Sequence, residues 1–134
     1  MKKIIFCLIC FISMLVVKAT IINDRLLFKD SYGTEFYGNS TPLSKTFDDV
    51  SIINWSARSY MNGGTIYVSF RLSGAETGSE TFTLLNQYSS KSGSIGNINS
   101  LSTYYLNGDV TCNNPPYNGA SGAISFEAFI AGLN

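Results

Sequence analysis

The chain contains no histidine. Histidine-bearing zinc sites, Ser-His-Asp triads and Cys-His dyads are therefore excluded within one copy of the chain. Cysteine is scarce: three in 134 residues, two of them (Cys7 and Cys10) in an apolar N-terminal run. Charge is thin as well, with Asp, Glu, Lys and Arg making up 13% of residues and balancing to zero. Such a chain has no electrostatic footprint for nucleic acid or for an anionic membrane surface. No G-x-x-x-x-G-K-[ST] loop occurs, and the glycines sit where turns account for them. No segment carries a sustained helical stripe.

What is present begins with an export signal. Met1-Lys2-Lys3 is basic, residues 4–17 are almost wholly apolar, and Val17-Lys18-Ala19 forms a cleavage site. The apolar run is about 14 residues, short of the roughly 20 that a spanning helix needs. Leu8-Ile9-Cys10 lacks the small residues of a lipobox. Residues 1–19 thus read as a secretory signal peptide and 20–134 as a single extracellular domain, with no membrane insertion after cleavage. Removing 19 of the 134 residues leaves 115, with six basic and nine acidic side chains and a net charge of −3. Only Cys112 remains, so no disulfide can form within the chain, and stability must come from one core. Cys112 reads as a small, half-buried residue, with pairing between chains as the alternative.

Residues 52–72 carry the clearest pattern. Ile53, Trp55, Ala57 and Met61 form one apolar row, and Ile66, Val68, Phe70 and Leu72 form another. Polar residues alternate with both, and Asn62-Gly63-Gly64 lies between them. Period-two alternation about a Gly-rich tip predicts a β-hairpin. Further strands are expected at 25–29 and 34–37, joined by an Asp30-Ser31-Tyr32-Gly33 turn. Others are expected at 81–85, with Phe82 and Leu84 inward, and at 98–106, where Asn107-Gly108 turns the chain back into 110–112. The last lies at 123–131, with Ile124, Phe126, Ala128 and Ile130 on one face. Residues 38–45 with Pro42, 73–80, 89–97 and 113–122 read as loops. The fold class is all-β: a small antiparallel β-sandwich of about eight strands, of Greek-key type.

The chemistry available to such a domain is limited. Glu35, Asp48, Asp49, Glu76, Glu80, Asp109 and Glu127 are carboxylates that a paired-carboxylate hydrolase would need. Most fall in loops or on outward strand positions, where solvation explains them. Sequons occur at Asn39 and Asn54, and either would take a glycan in a eukaryote. Eight tyrosines are many for this length, and neighbours such as Tyr104 and Tyr105 must face opposite ways on a strand. Outward tyrosines stack on sugar rings or anchor protein partners, and equally pack across strands.

Residues 25–106 resemble two successive βγ-crystallin-type Greek-key motifs. Phe28, Tyr32, Gly33 and Phe36 stand where such a motif opens on an aromatic strand and a folded Tyr/Phe-Gly hairpin. Asp48-Asp49-Val50-Ser51-Ile52-Ile53 and Asn97-Ile98-Asn99-Ser100-Leu101-Ser102 match parts of the family's [ND]-[ND]-x-x-[ST]-S calcium stretch. Ile52, Ile53 and Leu101 replace hydroxyl ligands, and residues 107–134 have no counterpart. The resemblance implies an extracellular β-sandwich with weak calcium sites at Asp48, Asp49 and Ser51 and at Asn97, Asn99 and Ser100. No other cofactor is expected. The functional reading is a secreted, non-enzymatic binding, adhesion or structural module whose partner is an extracellular protein or glycan. The alternative is a small secreted hydrolase or toxin acting through carboxylates, which a cluster of Glu and Asp in a concave pocket would favour.

Overall fold

A computed structural model describes residues 25–37, 40–60, 65–85, 88–113 and 121–132. The signal segment, Asn39 and the Asn62-Gly63-Gly64 tip lie outside the described residues. Eight strands form: β1 (Arg25–Tyr37), β2 (Thr41–Val50), β3 (Ile52–Ser59), β4 (Thr65–Ser73), β5 (Gly78–Leu84), β6 (Ser90–Gly96), β7 (Ser102–Asn113) and β8 (Ser121–Gly132). Sheet A has the order β1-β8-β3-β6 and sheet B the order β2-β7-β4-β5. All pairs are antiparallel.

The pairing follows one rule. Folding the chain double about the β4–β5 connection makes a ribbon of β1·β8, β2·β7, β3·β6 and β4·β5. Wrapping that ribbon on itself adds the joins β3·β8 and β4·β7 and closes two four-stranded sheets over one core. This is the jelly-roll arrangement, two Greek keys in a double sheet, and it bears out the expected sandwich.

Alternation along the strands builds the core. Ile53, Trp55 and Ala57 of β3 face Ile66, Val68, Phe70 and Leu72 of β4 across the sandwich, and β7 and β8 add Tyr104, Leu106, Val110, Ile124, Phe126 and Ala128. Trp55 meets Phe70 edge-on at 5.2 Å and stacks on Phe82 at 5.3 Å; Phe70 meets Phe126 at 5.0 Å. Trp55, Ile66, Val68, Phe70 and Leu84 share one buried cluster, with Phe82 packed at its margin. Cys112 is half-buried against the same core.

Five local expectations are corrected. The segments at 52–59 and 65–73 do not pair as a hairpin, because they belong to opposite sheets. Alternation reports which face is buried and is silent about the partner. Residues 25–37 make one strand along β8, with a register shift between Phe28 and Asp30 in place of a Tyr32-Gly33 turn. Asn107-Gly108 lies inside β7, flanked by Leu43 and Phe70. A Cβ on Gly108 would lie 2.2 Å from the Ser69 carbonyl oxygen, so close strand approach selects this glycine. Residues 90–96 are an edge strand, and Gly93 leaves the space that the Trp55 indole fills. Residues 41–50, expected as loop and lead-in, form strand β2, and its Pro42 is one that an edge strand tolerates.

Candidate binding face

The register of sheet A sets its outer face. Side chains alternate across a strand, so burying Trp55, Phe126 and their neighbours leaves the residues between them facing outward. Four cross-strand rows result. They are Phe28–Phe129–Ile52–Gly96, Ser31–Glu127–Asn54–Ser94, Gly33–Ser125–Ser56–Ser92 and Glu35–Ala123–Arg58–Ser90. Apart from Asn54 and Glu127 the two middle rows carry only Ser and Gly, while the end rows carry Phe28, Phe129 and Ile52 or Glu35 and Arg58, so the face dips in the middle. The dip is an open trough of about 420 Å³ lined by Asn54, Ser56, Ser92, Ser94, Ser125 and Glu127, with Trp55 and Gly93 of the same strands. The Ser56 and Ser125 hydroxyls lie 3.0 Å apart across its floor.

One rim is aromatic and cationic. The Arg58 guanidinium lies 5.7 Å from the Tyr60 ring centre and 5.9 Å from that of Tyr88. Tyr88 is 65% exposed and adopts a left-handed backbone, φ 63°. That conformation is costly for a bulky residue and persists only where its surroundings hold it. The Tyr88 amide donates to the Ser59 carbonyl at 2.9 Å, and the Ser59 amide donates to the Ser89 carbonyl at 2.9 Å. On β1 in the same row, Glu35 accepts the Tyr37 hydroxyl at 2.7 Å, which raises the phenol's pKa. The opposite rim is apolar, with Phe28 and Phe129 edge-on at 6.0 Å.

The carboxylates do not converge on this face. Glu127 is the trough's one carboxylate. Glu35 stands opposite Ala123, four residues along β8 from Glu127. That offset is roughly 13 Å between backbone positions at the strand rise, and the Glu35 carboxylate is engaged by the Tyr37 hydroxyl farther along β1. Asp109 accepts the Thr111 hydroxyl at 2.7 Å on sheet B. Glu80 sits on edge strand β5, and Glu76 lies in the β4–β5 connection. Among the described residues no group of three His, Cys, Asp or Glu gathers at one point.

The residues expected to hold calcium are brought to one end of the molecule, where the Asn97 amide donates to the Ser51 carbonyl at 2.9 Å. Each is engaged locally. Asp48 accepts the Thr103 hydroxyl at 3.3 Å, and the Asp49 carbonyl accepts the Lys29 ammonium at 3.1 Å. The buried Ser51 hydroxyl accepts the Ala131 amide at 3.2 Å. The Asn97 side chain accepts the Asn99 amide at 2.9 Å, and the Ser100 amide donates to the Asn97 carbonyl. Of the sequons, Asn54 lies in the trough. Ser92 and Ser94 escaped the sequence reading because residues 89–97 look like a loop; Tyr88 is among the eight tyrosines counted there, but its placement beside Arg58 and Ser59 is not legible because they are far along the chain.

The class defined so far is an eight-stranded jelly-roll domain with a polar trough on one sheet. No family model matches the chain, and no curated protein matches it. Similar solved structures include two. One is TmCBM61, in complex with beta-1,4-galactotriose (12% identity, 81% of this chain and 88% of that one, TM-score 0.45). The other comes from Bacillus endospore appendages, described as disulfide-linked pili (13% identity, 81% and 93%, TM-score 0.35). Among the described residues no helix is long and apolar enough to cross a membrane.

Proposed function

We propose that this chain is a secreted, non-enzymatic recognition module that holds an extracellular ligand on the outer face of sheet A. The observation that supports it is the pairing of a polar trough with a clustered Arg58–Tyr60–Tyr88 rim. Arginine and tyrosine are the side chains that dominate binding energy at recognition surfaces. On sheet B the exposed tyrosines are scattered: Tyr67 and Tyr105 stand opposite Thr111 and Ser73, three rows apart, or roughly 20 Å at the strand rise.

The test uses an array of extracellular glycans and matrix proteins probed with labelled protein. Ser94→Trp fills the trough, and Thr83→Trp places the same bulk on the outer face of sheet B. Binding should disappear in the first variant and persist in the second. Binding that survives Ser94→Trp would overturn the assignment of the face.

A further inference from the structure

We infer that the ligand of this face is a neutral glycan chain, laid along β3 from the Tyr60–Arg58–Tyr88 rim into the trough. The inference rests on the reading of sheet A as the binding face and adds the chemical class of what it binds.

Hydrogen-bonding capacity points first to a polyol. Serine hydroxyls and the Asn54 amide both donate and accept, and an ionised Glu127 accepts only. Sugar hydroxyls also do both, so each trough group finds a match by rotation of an O–H. Charge points the same way. Glu35 and Glu127 outnumber Arg58 on this face, so a polyanion meets net repulsion and a neutral chain does not.

The rim supplies what the trough lacks. Tyrosine offers an apolar ring for the C–H face of a sugar and a hydroxyl for its edge, with few torsions to immobilise. The hydrogen bonds around Ser59 fix the Tyr88 backbone in advance. Arg58, held among two rings, keeps N–H donors for ligand oxygens. Glu35 and Arg58 are separated in their row only by Ala123. An acceptor and a donor thus flank a gap that hydroxyls can bridge. From Asn54 to Tyr60 the outward positions extend roughly 20 Å, the length of a chain of several rings.

An extended peptide suits the face less well. Peptides add to a sheet edge or place apolar anchors in pockets. Here β3 and β8 are central strands with both sides paired, and the trough lining is polar.

The experiment is affinity electrophoresis of the purified protein through gels containing single soluble polysaccharides. Galactan, xylan, glucomannan and mixed-linkage glucan are the neutral probes; polygalacturonate and alginate are the acidic ones. At least one neutral polymer should retard the protein, with retardation insensitive to salt. Tyr88→Ala and Asn54→Ala should each weaken it by about tenfold, Thr83→Ala should not, and all three should melt like the wild type. Salt-sensitive retardation by acidic polymers alone, lost in the same two variants, would overturn the neutral class and leave the face standing. Retardation by a neutral polymer that both variants keep would overturn the face instead. No retardation by any polymer would overturn the glycan inference.

Discussion

Phe70 reaches across the core to two rings of the facing sheet, Trp55 at 5.2 Å and Phe126 at 5.0 Å between centroids. Truncation there removes two edge-on aromatic contacts and leaves a cavity. Phe70→Ala should destabilise by about 3–5 kcal/mol, measured by denaturant unfolding through Trp55 fluorescence, since Trp55 is the one tryptophan. A loss below about 1 kcal/mol would show that this ring is dispensable. Gly108 tests the packing from the backbone side. Its added methyl would lie 2.2 Å from the Ser69 oxygen and 2.6 Å from the Phe70 Cα, both backbone atoms. Gly108→Ala should cost about 1–3 kcal/mol through strand displacement. Gly33→Ala, whose methyl would find its nearest neighbour at 3.6 Å, should stay within about 0.5 kcal/mol. The two glycines look alike in sequence and differ only in what lies across from them.

At the scale of elements, the four edge strands share one device. Asp30 of β1, Lys45 of β2, Glu80 of β5 and Lys91 of β6 each stand opposite an inward-facing residue: Ala128, Leu106, Phe70 and Ala57. Inward-pointing charges on edges block edge-to-edge pairing. On the β1/β2 side two of them join, with the Lys45 ammonium 2.9 Å from the Asp30 carboxylate. That hydrogen bond, aided by the Ser31 amide, lowers the Asp30 pKa. A lowered carboxylate pKa contributes stability above the unfolded value of about 3.9, lost as pH falls through the folded one. Both side chains are about one-third exposed or more, so the contribution is at most about 1 kcal/mol. Asp30→Asn should lower the neutral-pH melt slightly and by less at about pH 2, because the wild type loses the pair's contribution as pH falls through its lowered carboxyl pKa. Equal deficits at both pH values would assign the loss to packing. The end of β2 with Ser51, and the β6–β7 connection, carry the proposal of weak calcium binding. There the melt should rise in millimolar calcium and not in equal magnesium, and Asp49→Ala should abolish the rise. An unchanged melt would remove the site.

For the whole molecule, the doubled-over ribbon leaves four edges and therefore four places where copies could pair. Edge strand β6 is one of these places. It is short and rich in serine and glycine, and Lys91 is its one charged residue. Strands of this kind specify register weakly. Lys91→Val should produce concentration-dependent association, seen by light scattering, while the wild type stays monomeric at the same concentrations. A monomeric Lys91→Val would show that the other edge features suffice.

The residue pattern alone carries the class of fold and much of the core, though not Leu43, Phe47 and Val50 of β2. Alternation in 52–59, 65–72 and 123–131 marked which side chains go inside, and the apolar rows are the buried rows. That information is local, because a two-residue period is a property of one strand. Partnership is not local. Whether β3 pairs with β4 or faces it across the core depends on which sheet each joins, and both choices bury the same residues. The Asn107-Gly108 pair signalled a turn, and crowding by Ser69 and Phe70 showed another reason for the glycine. The trough was beyond reach for the same cause. Ser92 and Ser94, Asn54 and Ser56, and Ser125 and Glu127 come from three segments of the chain. Each is an unremarkable polar position alone, and only register places them side by side beneath a tyrosine-flanked arginine.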